Sequence, residues 1–338
     1  MFLHSLSSKI FSIITPILAV LLAYQASTRW SNFSSAIKED WSSNFRAEPM
    51  LKAVRSASST SAKMSKTPVY FVSHGGPNIM YDMDHPVYSN LQKIGKEITT
   101  KVKPKAVVVF SAHWQAPSPN KIQVNTKEMN DLIYDFYGFP SHYYKEKYPN
   151  VGSKEVASHV ISALKSNGID VESTSRGLDH GIWPSFKVLF DPETNPLNVP
   201  IVQVSLFSSE DPNQHYALGR AISALRSENI AIIVSGMAVH NLRDFERTMG
   251  NPTPLPYTSG FDEALKDAVT VVPAEREQKM AELLKRPDAR HAHPTFEHLL
   301  PIFVGAGAAG EDLGMRLWTL KEGSMSWAQY RFGDVEAN

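Results

Sequence analysis

The chain has 338 residues, 42% of them hydrophobic and 20% charged, which is enough apolar material for a large buried core. Its 34 Lys+Arg balance 34 Asp+Glu and no long run of one sign occurs, which argues against nucleic acid as a partner. Cysteine is absent, so disulfides and thiolate metal sites are excluded, and any metal must be held by His, Asp or Glu.

In chain order, the first 65 residues differ from the rest. "KIFSIITPILAVLLAY" (Lys9 to Tyr24) is apolar, but it is short for a membrane span and carries Pro16. No convincing small-residue cleavage site follows it. Acidic residues are missing before Glu39, while Lys9, Arg29 and Lys38 are present, as in a mitochondrial presequence. Organelle targeting, a membrane anchor or secretory signal, and a plain extension remain open. Any membrane contact is expected only through this segment. The small, polar "SASSTSAKMSK" (Ser56 to Lys66) reads as a linker. A start at Met64, in "MSKTPVYF", would instead give a cytoplasmic form. The folded domain is expected over 66–338.

From there strands and helices alternate without internal repeats. Apolar runs at 68–73, 105–110, 200–207 and 230–235 have the length and β-branched content of buried strands. Helices are predicted over Ser153 to Gly168, Asn213 to Asn229, Ser259 to Thr270 and Pro273 to Arg286, with Ser and Gly marking the ends of the first. Pro294 and Thr295 read as the opening of a further helix with His298 in its first turns. This alternation predicts an α/β chain, a three-layer α/β/α sandwich around a central, largely buried sheet.

In such sheets ligands gather beyond the carboxyl ends of the strands. "PVYFVSHGGP" puts His74 there, "KAVVVFSAHWQ" puts His113 there, and "IAIIVSGMAVHN" puts His240 there. One such histidine is ordinarily a hydrogen-bonded structural group; three at equivalent strand ends point to a site. His4, His85, His142, His159, His215, His291 and His293 are taken as surface, capping or structural groups.

"SHGGP", "SAHWQ", "LDHGIW", "SGMAVHNL" and "HAHPTFEHLLP", in that order between Lys66 and Arg331, resemble the extradiol ring-cleaving dioxygenases of the protocatechuate 4,5-dioxygenase superfamily. The likeness is greatest to the DOPA 4,5-dioxygenase-like branch. The resemblance implies one divalent nonheme metal on His74, His113 and His298, Fe(II) for ring cleavage or Zn(II) as purified. It also implies His240 beside the metal as acid/base or extra ligand, and His180 on the opposite wall. Small-molecule catechol and dioxygen are the implied partners. Where relatives outside the branch use a carboxylate, Glu297 precedes His298 here; the branch uses the His of "EHLLP", so Glu297 is expected in solvent or orienting a ligand.

The chemistry agrees with these residue types. A metal that holds both oxygens of a catechol together with dioxygen leaves the protein only three positions on one face. "IYDFYGFP" (Ile133 to Pro140) reads as an aromatic wall, with Tyr137, Phe139 and Trp114 as candidate substrate contacts; Trp183 stands next to another motif histidine. A zinc-dependent hydrolase using the same His pocket, with His240 or Glu297 activating water, is the alternative reading. A non-enzymatic binding protein on the same fold is the third.

Overall fold

The computed structural model describes residues 66–249 and 251–335. The apolar N-terminal run, and the targeting and localisation readings attached to it, lie outside the described residues. Among those described, no helix is long and apolar enough to cross a membrane.

The strands are β1 (Val69–Ser73), β2 (Ala106–Gln115), β3 (Lys121–Asn125), β4 (Asp170–Thr174), β5 (Ile201–Leu206), β6 (Ile230–Gly236), β7 (Val239–His240), β8 (Gly314–Trp318), β9 (Lys321–Glu322), β10 (Met325–Ser326) and β11 (Gln329–Phe332). The central sheet has eight strands in the order β4-β3-β5-β2-β6-β1-β11-β8, and a second sheet runs β7-β10-β9. The four apolar runs read from sequence form the parallel centre, β5-β2-β6-β1, in the middle of the larger sheet. Burial on both faces explains their unbroken hydrophobicity, because only a covered strand tolerates it.

Successive side chains on these strands point to opposite faces. Val69, Phe71, Val108, Phe110, Ile232 and Val234 therefore pack into one core, and Tyr70, Val72, Val107, Val109, Ala231 and Ile233 into another. The helices are α1 (Pro86–Glu97), α2 (Lys154–Ser166), α3 (Trp183–Leu189), α4 (Pro212–Ile222), α5 (Leu242–Thr248), α6 (Pro256–Thr270), α7 (Pro273–Leu283), α8 (Ala289–Ala292) and α9 (Leu300–Ala309). The first core is roofed by α2, α4, α6, α7 and α9, the second by α1 and α3, which gives the three layers. Ser153 caps α2 by accepting from Val156 N, and Asp211 caps α4 by accepting from Asn213 N and Gln214 N.

Two sequence expectations need correction. The helix from Asn213 ends at Ile222 and tightens into a 3-10 segment, Ser223–Glu228. No helix opens at Pro294; the last apolar helix starts at Leu300, so His298 sits on the turn before it, with Phe296 O accepting from Leu299 N and Leu300 N.

Candidate active site

Three of the predicted histidines meet at the carboxyl ends of the central strands. His74 follows β1, and its backbone N donates to Gly236 O at the end of β6. His113 lies near the end of β2, on the same face as Ser111 and Val109. His298 is brought in by the turn ahead of α9. Nε2 of His113 is 3.3 Å from Nε2 of His74 and 3.2 Å from Nε2 of His298.

The outer ring nitrogens determine what the inner ones present. Ser235 Oγ gives its proton to Gly181 O, so it accepts from His74 Nδ1, 2.9 Å away. Glu297 Oε1 is acceptor only and lies 3.0 Å from His298 Nδ1. Asp135 Oδ2 faces His113 Nδ1 at 3.6 Å. Hydrogen bonds hold the protons of His74 and His298 on their outer nitrogens, and the charge of Asp135 favours the same tautomer in His113, which turns three Nε2 lone pairs toward one another. Such an arrangement repels itself unless a shared cation accepts all three, and carboxylate or hydroxyl partners on the far ring nitrogen are the usual support for a metal-bound imidazole. All three ligand atoms lie within 4.8 Å of one another. The residues therefore fit a metal and leave its remaining positions to other ligands.

Protonation follows the same logic. Burial, then the charges of His113 and His298, push His74 well below the ordinary range. Burial, then His180, lowers His113 to about 4 against the opposing pull of Asp179 and Asp135. His298 and His240 are likewise held well below their usual value, by burial first and neighbouring imidazoles second. Neutral imidazole is the state a metal needs.

One consequence is measurable in metal-free protein. A histidine whose folded pKa lies below its unfolded value costs no stability above pH 6.5, and destabilises as pH falls from there towards the folded pKa, because only the unfolded chain takes up the proton. His113, and buried His293, which burial also lowers to about 4, place that window between pH 6.5 and about 4. Each contributes on the order of 3 kcal/mol across it. The apo protein is expected to lose its thermal transition progressively between pH 7 and 4, as followed by circular dichroism. A flat melting temperature over that range would contradict neutral burial of the cluster.

The remaining catalytic candidates flank the triad. His240 lies face to face with His298, ring centroids 3.7 Å apart and 15° between planes. The triad rings instead meet at 52° to 89°, as rings do when their edges aim at one point. His180 sits 3.9 Å from the His113 ring. Its backbone N donates to Asp135 Oδ1 at 2.9 Å, and its buried Nδ1 lies 2.9 Å from the same oxygen, an electrostatic contact rather than an aligned hydrogen bond. Burial raises the Asp135 pKa, but the close imidazole and backbone N–H of His180, with the charge of His113, outweigh it and keep the carboxylate below its usual range. Gly181 lets these pieces close: a Cβ there would stand 2.4 Å from Ser111 Oγ and 2.6 Å from His113 Cδ2.

The triad opens into a cavity of about 570 Å³, the size of a small-molecule pocket. His240, His180 and Phe139 line it; two other sequence candidates do not. Trp114 follows His113 on a strand and so faces the other way, 5% exposed, with Nε1 donating to Gln123 and Arg176 over its ring at 4.7 Å. Tyr137 stands 89% exposed on the loop crest, and the loop's inward wall is Phe136. Trp183 is fully buried beneath the site and donates to Ile133 O.

The sequence reading missed Asp135, Met237, Trp327 and the pair His85 and Glu322. His85, expected as a surface, capping or structural group, does cap α1 by accepting from Val87 N, and it also lines the cavity 4.9 Å from the Trp327 ring. Asp135 stood within the quoted aromatic motif as the one carboxylate among aromatics, a signal that was available. Trp327 had none, because its place depends on the chain returning more than 250 residues later to press its ring on Gly75. That glycine has φ +64°, and a Cβ on it would lie 2.1 Å from the indole.

The family model described as the catalytic LigB subunit of aromatic ring-opening dioxygenase matches residues 60–335. The chain belongs to this family. As a LigB-family chain it is 36% identical over 275 residues to a Beta vulgaris protein named 4,5-DOPA dioxygenase extradiol, covering 78% of this chain and 95% of that one. It is 30% identical over 272 residues to an Escherichia coli K12 protein of the same name, covering 80% and 96%. A crystal structure of an uncharacterized Escherichia coli K12 protein superposes with a TM-score of 0.64 at 29% identity, over 79% of this chain and all of that one. The LigB family is metal-dependent, and the His74, His113 and His298 triad is able to hold the ion.

Proposed function

We propose that the protein is an extradiol dioxygenase that opens the ring of a DOPA-like catechol beside its diol and incorporates both atoms of dioxygen. The observation that carries this reading is the convergence of three bare imidazole nitrogens on the floor of an aromatic-walled cavity, with one further histidine on each side. A divalent ion held by His74, His113 and His298 would supply the point where both catechol oxygens and dioxygen are gathered; Fe(II) serves ring cleavage, and Zn(II) suits the same imidazoles and is the form expected after purification.

The rest of the work falls to the chain. Phe136, Phe139 and Trp327 enclose a planar ring and keep water from it. His240, neutral through burial, takes the proton of one catechol hydroxyl and returns it as the ring opens. His180, its Nδ1 edge held towards Asp135, turns the rest of its ring to the cavity and fixes a substrate oxygen. The product is a muconic semialdehyde, which cyclises when the substrate carries an amine.

The test is full-length protein loaded anaerobically with Fe(II) and then supplied with air and DOPA, caffeate, protocatechuate or simple catechols. Oxygen uptake with a yellow semialdehyde absorbance is expected for at least one of them. No uptake with any catechol, combined with ester or amide hydrolysis under strict anaerobiosis, would overturn the reading in favour of a hydrolase.

A further inference from the structure

The cavity has a second pole. Among the described residues, Asp82, Asp135 and Glu322 line it, and no Lys or Arg does. Asp135 is taken up by His180 and His113. Glu322 is held differently, and its position relative to the histidines can be read from the smaller sheet.

In that sheet Met325 on β10 is paired with His240 on β7 and with Glu322 on β9. Residues in register on neighbouring strands share a face. His240, Met325 and Glu322 thus form one row along the cavity wall, and two strand spacings put Glu322 about 10 Å from His240, Cα to Cα. Trp327 gives a second ruler: its benzo edge lies on Gly75, next to His74, and its Nε1 donates to Glu322 Oε1 at 2.7 Å. The carboxylate therefore stands one indole width from the metal-side turn.

Its immediate contacts leave the charge available. Val87 N donates to His85 Nδ1 at 3.3 Å, so the ring proton of His85 is on Nε2 and goes to Glu322 Oε1, 3.0 Å away. Oε1 thus takes both donors, and Oε2 has no hydrogen-bond partner among the described residues. The bond from His85 holds the carboxyl below its ordinary pKa against the opposing effect of burial.

We propose that Glu322 is the specificity determinant of the cavity: it binds an ammonium group at the end of a short side chain on the catechol, so the enzyme prefers catechol amines to catechols bearing a carboxylate. The inference rests on the dioxygenase reading for the position of the ring, and it narrows the substrate class. A two-carbon amine carries its nitrogen from the diol end across a span comparable to the His240 to Glu322 row. A substrate carboxylate would enter a pocket that has no Lys or Arg to receive it and Glu322 to repel it. An amino acid such as DOPA presents both groups and falls between.

The experiment ranks dopamine, 4-ethylcatechol, DOPA and 3,4-dihydroxyphenylpropionate on full-length protein, by calorimetric Kd under anaerobic conditions and by kcat/KM in air. Binding to the wild type is expected to be strongest for dopamine and weakest for the propionate, with at least about tenfold between them, the scale of one hydrogen bond to a charged group. Glu322→Gln keeps an oxygen to accept from His85 and Trp327 and removes only the charge. It should weaken dopamine about tenfold and leave 4-ethylcatechol unchanged. Glu322→Lys should reverse the order. Propionate bound by the wild type as tightly as dopamine would overturn the proposal without any variant. An unchanged dopamine Kd in a folded Glu322→Gln protein would overturn it as well. If the Kd order holds while no catechol is turned over, the reaction assignment fails and the amine-binding role of Glu322 stands.

Discussion

His74→Ala and His113→Ala proteins are expected to come through purification without their divalent ion. His74 Nε2 and His298 Nε2 both face His113 Nε2 at 3.2 to 3.3 Å, so each imidazole supplies a third of the protein's donor set. Ser235 is occupied with Gly181 O, and Glu297 is turned to the outer nitrogen of His298. Loss of a mere outer partner of a ligand typically weakens a metal site about 10–100-fold, so loss of a ligand should exceed a hundredfold. Metal content after dialysis, and titration with Fe(II) or Zn(II), would measure it. Circular dichroism of both variants would separate loss of the ion from loss of the fold. Full metal occupancy in both would dismantle the site described above.

A different signature is expected for His240→Phe: metal and catechol retained, turnover reduced by about 10²–10⁴, the usual contribution of a general acid/base. Phe keeps the flat ring that packs on His298 at 3.7 Å, so the geometry of the ligand is preserved while the proton carrier is lost. The face-to-face placement of His240, against the edge-on convergence of the other three, is the reason to expect metal retention. A His240→Phe protein that sheds its ion would show that His240 is a ligand. Wild-type turnover would show that the proton passes elsewhere. Single-turnover measurements with a saturating catechol separate this chemical defect from weaker binding.

These three residues also mark how far a linear reading extends. The β-branched runs around Val69–Ser73, Ala106–Gln115, Ile201–Leu206 and Ile230–Gly236 determined four parallel strands, since sequences apolar on both faces are stable only in a sheet covered on both sides. With strands located, their carboxyl ends were located too, and His74, His113 and His240 with them. The edge strand β4 and its neighbour β3 were illegible for the converse reason. "KIQVN" and "DVEST" are short and polar on one face, and they become strands only because β5 and one another offer ladder partners.

Other features were decided by tertiary structure alone. The turn that delivers His298 looked like a helix start, because Pro294 is a good first helical residue whether or not a helix follows; packing of the apolar segment from Leu300 moved the start six residues on. The tautomers of the triad depend on Ser235, Gly181 and Asp135, which come from three separate segments. Trp114 and Tyr137 were plausible aromatic walls until strand alternation and loop exposure pointed them away, whereas Trp327, Glu322 and His85 were anonymous until the C-terminal strands folded back over the His74 turn. The sequence by itself determined which strands carry metal-binding chemistry, because hydrophobic periodicity is a local property. The shape and charge of the cavity that receives a substrate were decided only in three dimensions, since they arise from contacts between residues as far apart as Gly75 and Trp327.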